Sequence, residues 1–332
     1  MKMGMSYFGN RYVECAKAHL KNMKEMGASY VVFTFSENDF FYYERTMQEL
    51  FDAAHQNGLE VWVDPWAIGG IFGGEAFSKF LLDNPDTWQV RNDGVRVPHA
   101  CLNSEKFKEF LKKLVNSIAA SKADYIFWDE PHWYIPQWDG VKDDSVWACR
   151  CEHCQELFKE KYDYDMPTIA NDNVVEFKKS SAFSFFKEMS RYTEEKGLKN
   201  AVCFLPIENE KDISIPYEKV ASLDTIDTIG SDPYWYIFGR NIDDFVKPVT
   251  KRMLEIGRKY SKKVQMWFQG YKVPMNREEE MRKAVETMYE LGVRNVAVWS
   301  YNGAAHMSYL RSEDPQKVNR VLKEIFSEFA KR

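Results

Sequence analysis

Eight times along its length, this sequence passes from a short apolar run bounded by turn residues to a longer stretch with apolar residues at helical spacing. Runs of the first kind are buried strands, and stretches of the second kind are amphipathic helices. The predicted strands are Met3–Phe8, Tyr30–Phe35, Glu60–Asp64, Tyr125–Trp128, Ala201–Leu205, Thr225–Gly230, Val264–Trp267 and Val296–Trp299. The predicted helices are Tyr12–Met26, Tyr43–Gln56, Glu105–Ala120, Cys151–Lys161, Val174–Lys196, Asp243–Lys259, Arg277–Glu290 and Pro315–Lys331. Gly27, Gly58, Gly197 and Gly292 follow helices and precede strands, where a left-handed cap belongs. Eight such units in 332 residues predict an α/β chain folded as one closed (β/α)8 TIM barrel over residues 1–332, in preference to an open doubly wound sheet. The long connections Pro65–Asn103 and His132–Ala148 are where function is expected.

Several function classes drop out early. Neither GxGxxG after the first strand nor GxxxxGK[ST] occurs, so dinucleotide and P-loop chemistry lack local support. A net charge of -5 gives no bulk attraction for nucleic acid or anionic lipid. No apolar run approaches the roughly 20 residues that span a bilayer, so no membrane partner is expected. The opening residues lack a secretory pattern, which makes the cytoplasm the expected location. Aromatic residues make up 15% of the chain, and many stand just after predicted strands. Rings so placed suit the apolar faces of sugars, which predicts a small saccharide or glycoside as partner.

Barrels of this kind draw their catalytic groups from the C-terminal ends of strands. Those ends carry Glu37 and Asp39, Asp64, Asp129 and Glu130, Glu208 and Glu210, Asp232, Gln269 and Trp299. The segment Tyr125-Ile-Phe-Trp-Asp-Glu-Pro131 delivers two adjacent acids after an apolar run, an arrangement without packing benefit. Strand alternation predicts that one acid faces the mouth while the other hydrogen-bonds beneath it. Glu130 is the expected proton donor, desolvated by Trp128, Trp133 and Trp235 and thereby kept protonated. The plainer alternative is an acid pair that binds loop amides. A second carboxylate, Asp232 or Glu208 with Asp64 third, is expected as base or stabiliser. Trp66, Trp133, Tyr234, Trp235, Trp267 and Trp299 are expected at the sugar faces, and Gln269 and Asn302 at hydroxyls. His132 and His306 read as hydrogen-bonded loop residues.

Four of the six cysteines form Cys101 … Cys149-Arg-Cys151-Glu-His-Cys154. Thiolates so spaced suit a structural Zn2+, whose closed shell would brace loops rather than hydrolyse anything. His153 is an alternative fourth ligand, and disulfides are the competing use of the sulfurs. Cys15 and Cys203 are expected to be buried thiols.

Together with Gln155, Phe158 and Tyr162, the cysteine run resembles the zinc cluster of glycoside hydrolase family forty-two β-galactosidases, a clan A barrel family. The resemblance extends to the fourth-strand acid, to Ser231-Asp-Pro-Tyr-Trp235 and to Trp299. It implies Glu130 as acid/base and Cys101, Cys149, Cys151 and Cys154 as zinc ligands. Two positions depart from the clan pattern: Asp129 stands where Asn usually precedes the acid/base, and Gln269 stands near the expected nucleophilic Glu of the seventh strand. An amide does not readily form the glycosyl ester of a retaining mechanism. The leading expectation is glycoside hydrolysis with Glu130 as general acid. A substrate-assisted N-acetylhexosaminidase-type reaction, with Asp129 orienting the acetamido group, and a non-hydrolytic carbohydrate-binding barrel are the alternatives.

Overall fold

A computed structural model describes residues 1–206 and 214–332. Eight parallel strands close into a barrel: β1 (Lys2–Tyr7), β2 (Tyr30–Thr34), β3 (Glu60–Asp64), β6 (Tyr125–Asp129), β7 (Lys199–Phe204), β8 (Thr228–Ser231), β9 (Lys263–Gln269) and β10 (Asn295–Trp299), which pairs back with β1. Two further strands, β4 (Trp88–Val90) and β5 (Arg96–Ala100), form an antiparallel hairpin inside the long loop after β3. The sequence pattern did not foresee this hairpin.

The helices that cover the ring follow the expected stripes. Helix α1 (Val13–Met26) ends at Gly27 with φ 110°, where the Gly27 and Ala28 amides donate to Lys24 O and Met23 O. Next come α2 (Glu37–Tyr42), α3 (Glu44–Gln56), α4 (Lys79–Asp83) and α5 (Glu105–Ala120), the last begun by Ser104, whose hydroxyl accepts from the Phe107 amide. After β6 come α6 (Glu152–Tyr162) and α7 (Asp172–Glu195), then α8 (Tyr217–Ala221), α9 (Lys247–Tyr260), α10 (Glu280–Leu291) and α11 (Pro315–Phe329). In α11, Val318, Val321, Leu322, Ile325, Phe326 and Phe329 are buried along one face, the spacing of an amphipathic helix. A π turn, Ile242–Val246, precedes α9 and takes up the start of the helix predicted from Asp243.

Alternation along each strand fills the interior in layers. The lower layer is aromatic, with Trp62 stacked between Tyr30 and Tyr125 at 4.7 and 4.1 Å. The Lys2 ammonium lies over all three rings and pairs with Glu60, which also accepts from Trp62 Nε1. The Tyr30 hydroxyl donates to Asn295 and accepts from Gln265 Nε2. Lys2, Glu60, Trp62 Nε1 and the Tyr30 hydroxyl of this floor are thereby all partnered. Gly4 leaves room for it, since a Cβ there would lie 2.2 Å from the Tyr30 ring. Gly4→Ala is expected to destabilise the fold by about 1–3 kcal/mol through overpacking, measured as a lower midpoint in denaturant unfolding.

Candidate active site

Further up the same strands the inward residues become polar: Ser6, Thr34, Asp64 and Asp129. Above them opens a cavity of about 280 Å³ at the C-terminal mouth, walled by Glu75, Asp129, Glu130 and Asp232 and by Trp66, Trp138, Tyr234, Tyr271 and Trp299. A larger cavity of about 830 Å³ lies alongside, lined by Tyr134, Trp147, Val174 and Lys178, and Trp138 is a wall of both. The acids converge only in the smaller one.

The two neighbouring acids do not divide between mouth and interior as alternation predicts. Glu130 leaves the strand with φ 44°, a left-handed conformation that costs a non-glycine residue about 1–3 kcal/mol and recurs at functional sites. Its amide donates to Cys203 O at 3.0 Å, and the Asp129 carbonyl accepts from the Gly73 amide at 3.0 Å. Both carboxyls thus turn over Gly73, where a Cβ would meet Asp129 Oδ2 at 2.4 Å and Glu130 Oε2 at 3.3 Å. A side chain at Gly73 would therefore displace the Asp129 carboxylate.

Burial raises the Glu130 pKa to about 7, against a lowering hydrogen bond from Asp232 and with a smaller push from the Glu75 charge. Asp232 is itself driven upward by burial and by the charges of Glu130 and Asp129. Of the two roles expected for Asp232, base or stabiliser, the hydrogen bond it shares with Glu130 suits the stabiliser. A water-spanning pair needs roughly 6.5–9.5 Å, and a nucleophile pair about 5–5.5 Å. Burial also raises Asp129 and Glu75, and Lys272 partly offsets the effect at Glu75. Asp64 has no exposure and neither carboxylate oxygen has a hydrogen-bond partner. Burial, then the charges of Asp129, Glu130 and Glu75, push its pKa well upward.

Other predicted site residues have different roles. Trp133 is 1% exposed and packs beneath the Lys178 ammonium, while Trp235 is fully buried and donates Nε1 to Glu280. Trp267 is held inside the barrel, its Nε1 donating to Gln265. These three are therefore packing residues and present no ring to the cavity. Gln269 is also withdrawn: its Oε1 accepts from the Tyr236 amide and its Nε2 donates to Tyr271 O, so it fixes the loop that aims the Tyr271 ring. Asn302 lies in a 3-10 turn, Tyr301–Ala304, away from the cavity wall. Glu37 braces the β3 loop by accepting from Ser78 and the Phe80 amide, and Asp39 pairs with Arg11. His132 is buried with its pKa lowered to about 4, and its Nδ1 meets Glu130 O at 2.6 Å. His306 packs against Phe8. Glu208 and Glu210 lie outside the described residues. Of the expected groups, Asp129, Glu130, Asp232, Trp66, Tyr234 and Trp299 do come together. Sequence reasoning missed Glu75, Trp138 and Tyr271, although Glu75 and Trp138 stand in the two long loops it singled out.

The four motif cysteines also converge. Their sulfurs all lie within 4.8 Å of one another, with Cys101 Sγ 3.4 Å from Cys154 Sγ and 3.8 Å from Cys151 Sγ. A tetrahedral shell with Zn–S near 2.3 Å places its sulfurs about 3.8 Å apart, so this donor set fits a metal ion. His153 is no part of the group; it is half-exposed and faces Glu156. All six cysteines are free thiols, and Cys15 is exposed rather than buried, whereas Cys203 is buried as expected. The cluster ties the β4–β5 hairpin to the start of α6, beside the loop that carries Trp138.

A parallel eight-stranded ring with acids at its C-terminal mouth defines a TIM barrel of enzyme-like construction. No protein-family model matches the sequence, and no curated protein matches it. Among solved structures, the endo-1,4-β-mannanase of Rhizomucor miehei superposes with a TM-score of 0.66 at 12% identity, over 100% of this chain and 95% of that one. The endo-β-1,4-mannanase of Thermotoga petrophila gives 0.64 at 12%, over 99% of this chain and 77% of that one. A variant of the GH5_18 protein of Streptomyces cattleya, in complex with Manβ1-4GlcNAc, gives 0.61 at 11%, over 98% and 80%. At such identities the likeness is one of fold. The cysteine cluster is present, but no family match connects it to family forty-two.

A carboxyl whose folded pKa lies above its unfolded value contributes stability that is intact at acid pH and lost as pH rises through the folded value. Asp64→Asn is accordingly expected to unfold at a higher temperature than the parent at pH 8, with the difference closing toward pH 4. Thermal melts across that range test this, and a lower midpoint at pH 8 contradicts it.

Proposed function

We propose that this chain is a glycosidase that cleaves a small saccharide or glycoside with Glu130 as general acid. The carrying observation is a carboxyl with a pKa near 7, set in a ring-walled cavity at the barrel mouth. A donor must be protonated before the leaving oxygen takes its proton and must give it up readily, which a pKa near the working pH allows. Asp232 holds that carboxyl in place and shares its proton. Trp66, Trp299 and Tyr271 receive sugar faces. Glu75 is the candidate second carboxylate, since it reaches the cavity from the β3 loop while Glu130 comes from the end of β6. With an amide at Gln269, attack by water assisted by Glu75 replaces the glycosyl-ester route. The mannanase-like fold supports a β-linked saccharide as the first substrate class to try.

A second reading, a carbohydrate-binding barrel without turnover, is favoured by one feature: the Gln269 amide is committed at both ends to backbone. Glu130→Gln separates the two. It is expected to lower kcat on aryl glycosides by about 10²-fold or more while ligand binding persists. In the parent, kcat is expected to fall as pH rises through about 7, because only the protonated form of Glu130 acts. Activity unchanged by the substitution refutes the assignment.

We further infer that Cys101, Cys149, Cys151 and Cys154 hold a structural Zn2+, which supplies cross-linking and no chemistry. Reduced thiolates in such a site agree with the cytoplasm as location. Elemental analysis is expected to find one zinc per chain, and Cys154→Ser to lose it together with several degrees of thermal stability.

A further inference from the structure

The cavity's charge indicates which saccharide it takes. Four carboxylates form its wall and Asp64 stands beside them on β3, the strand paired with β6, which carries Asp129. Among the described residues, no Lys, Arg or His lines the cavity, and the cation acting on the group is Lys272, next to Glu75. Asp64 is fully buried with both oxygens unpartnered, and Asp232 Oδ1 is likewise unpartnered. These are acceptors without donors. Around them stand the rings of Trp66, Tyr271 and Trp299, whose faces attract cations.

Ionised, these acids repel one another, and a neutral hydroxyl gives them one hydrogen bond without relieving that repulsion. An anionic sugar adds to the repulsion. An ammonium offers three donors and a positive charge together. We propose that the saccharide accepted here carries a protonated primary amine, an amino sugar in its free rather than N-acetylated form, with the ammonium held by Asp64 and Asp129 and the glycosidic oxygen left to Glu130. The proposal rests on the saccharide reading of this cavity and names its substrate class.

The test uses Glu130→Gln protein, in which cleavage is suppressed, and calorimetric binding of methyl β-glucosaminide, methyl β-N-acetylglucosaminide and methyl β-glucoside, with the galactose and mannose counterparts alongside. The amine is expected to bind about tenfold more tightly than its neutral and acetylated partners in at least one sugar series at pH 6. Adding Asp64→Asn or Asp129→Asn is expected to weaken binding of the amine about tenfold more than binding of the neutral ligand, so that the preference disappears, and the second variant serves if the first does not fold. Equal binding of all three forms, tighter binding of the acetylated form, or capture of Ca2+ alone in place of the amine overturns the proposal. Failure of the glycosidase reading looks different: the amine preference persists, but the parent cleaves no aryl glycoside, amino or neutral. Conversely, Glu130-dependent cleavage of neutral glycosides without any amine preference keeps the glycosidase and discards the amino sugar.

Discussion

Carboxylates packed together away from water repel one another, and a protein holds them there only by keeping protons on them or by supplying positive charge. At the mouth of this barrel, Asp64, Asp129, Glu130 and Asp232 are held at that cost. Burial raises all four pKa values first; neighbouring acid charges raise Asp64, Asp129 and Asp232 further, while at Glu130 the hydrogen bond from Asp232 pulls downward and the Glu75 charge adds a smaller upward push. The result is a group of acids that retain protons where ordinary carboxyls have lost them. The wall of rings, the tight turn at Gly73 and the withdrawal of Gln269 all concern this cluster, since they exclude water, admit the two acids and aim Tyr271 beside them.

The lower layer of the same barrel provides the contrast. There Glu60 is answered by Lys2 and by Trp62 Nε1, and Tyr30 is bonded on both sides. One end of the interior is a satisfied aromatic plug that stabilises the ring, and the other is an unsatisfied acidic hollow. Satisfying polar atoms is what packing does by default. Leaving Asp64 without a partner needs another reason, and the ammonium proposed above would supply one.

Much of this was legible in the sequence. The β3 bounds and those of α5 coincide with the predicted ones, because strong alternation or helical spacing is closed there by turn residues and by the Ser104 cap. The acids at the ends of β3, β6 and β8 were legible for a similar reason: a charged residue after an apolar run has few structural uses. Ring exposure was not. Trp133 and Trp235 follow strands just as Trp66 does, and only tertiary packing decides that Trp66 meets the cavity while the others sink beneath Lys178 and beside Glu280. Glu75 and Trp138 sit in loops without periodicity, where local pattern has nothing to report. Nor does alternation foresee the left-handed turn at Glu130, which brings two consecutive acids to one side.

Trp138 is shared between the acid hollow and the wider chamber beside it, and it sits on a loop next to the four-sulfur clasp. Anything longer than the hollow meets this indole as a threshold, with the chamber lined by Trp147 and Lys178 on its other side. The four-sulfur clasp and the sill stand on adjoining segments, so in the proposed reading a metal held by the clasp would stiffen the ground on which this threshold rests.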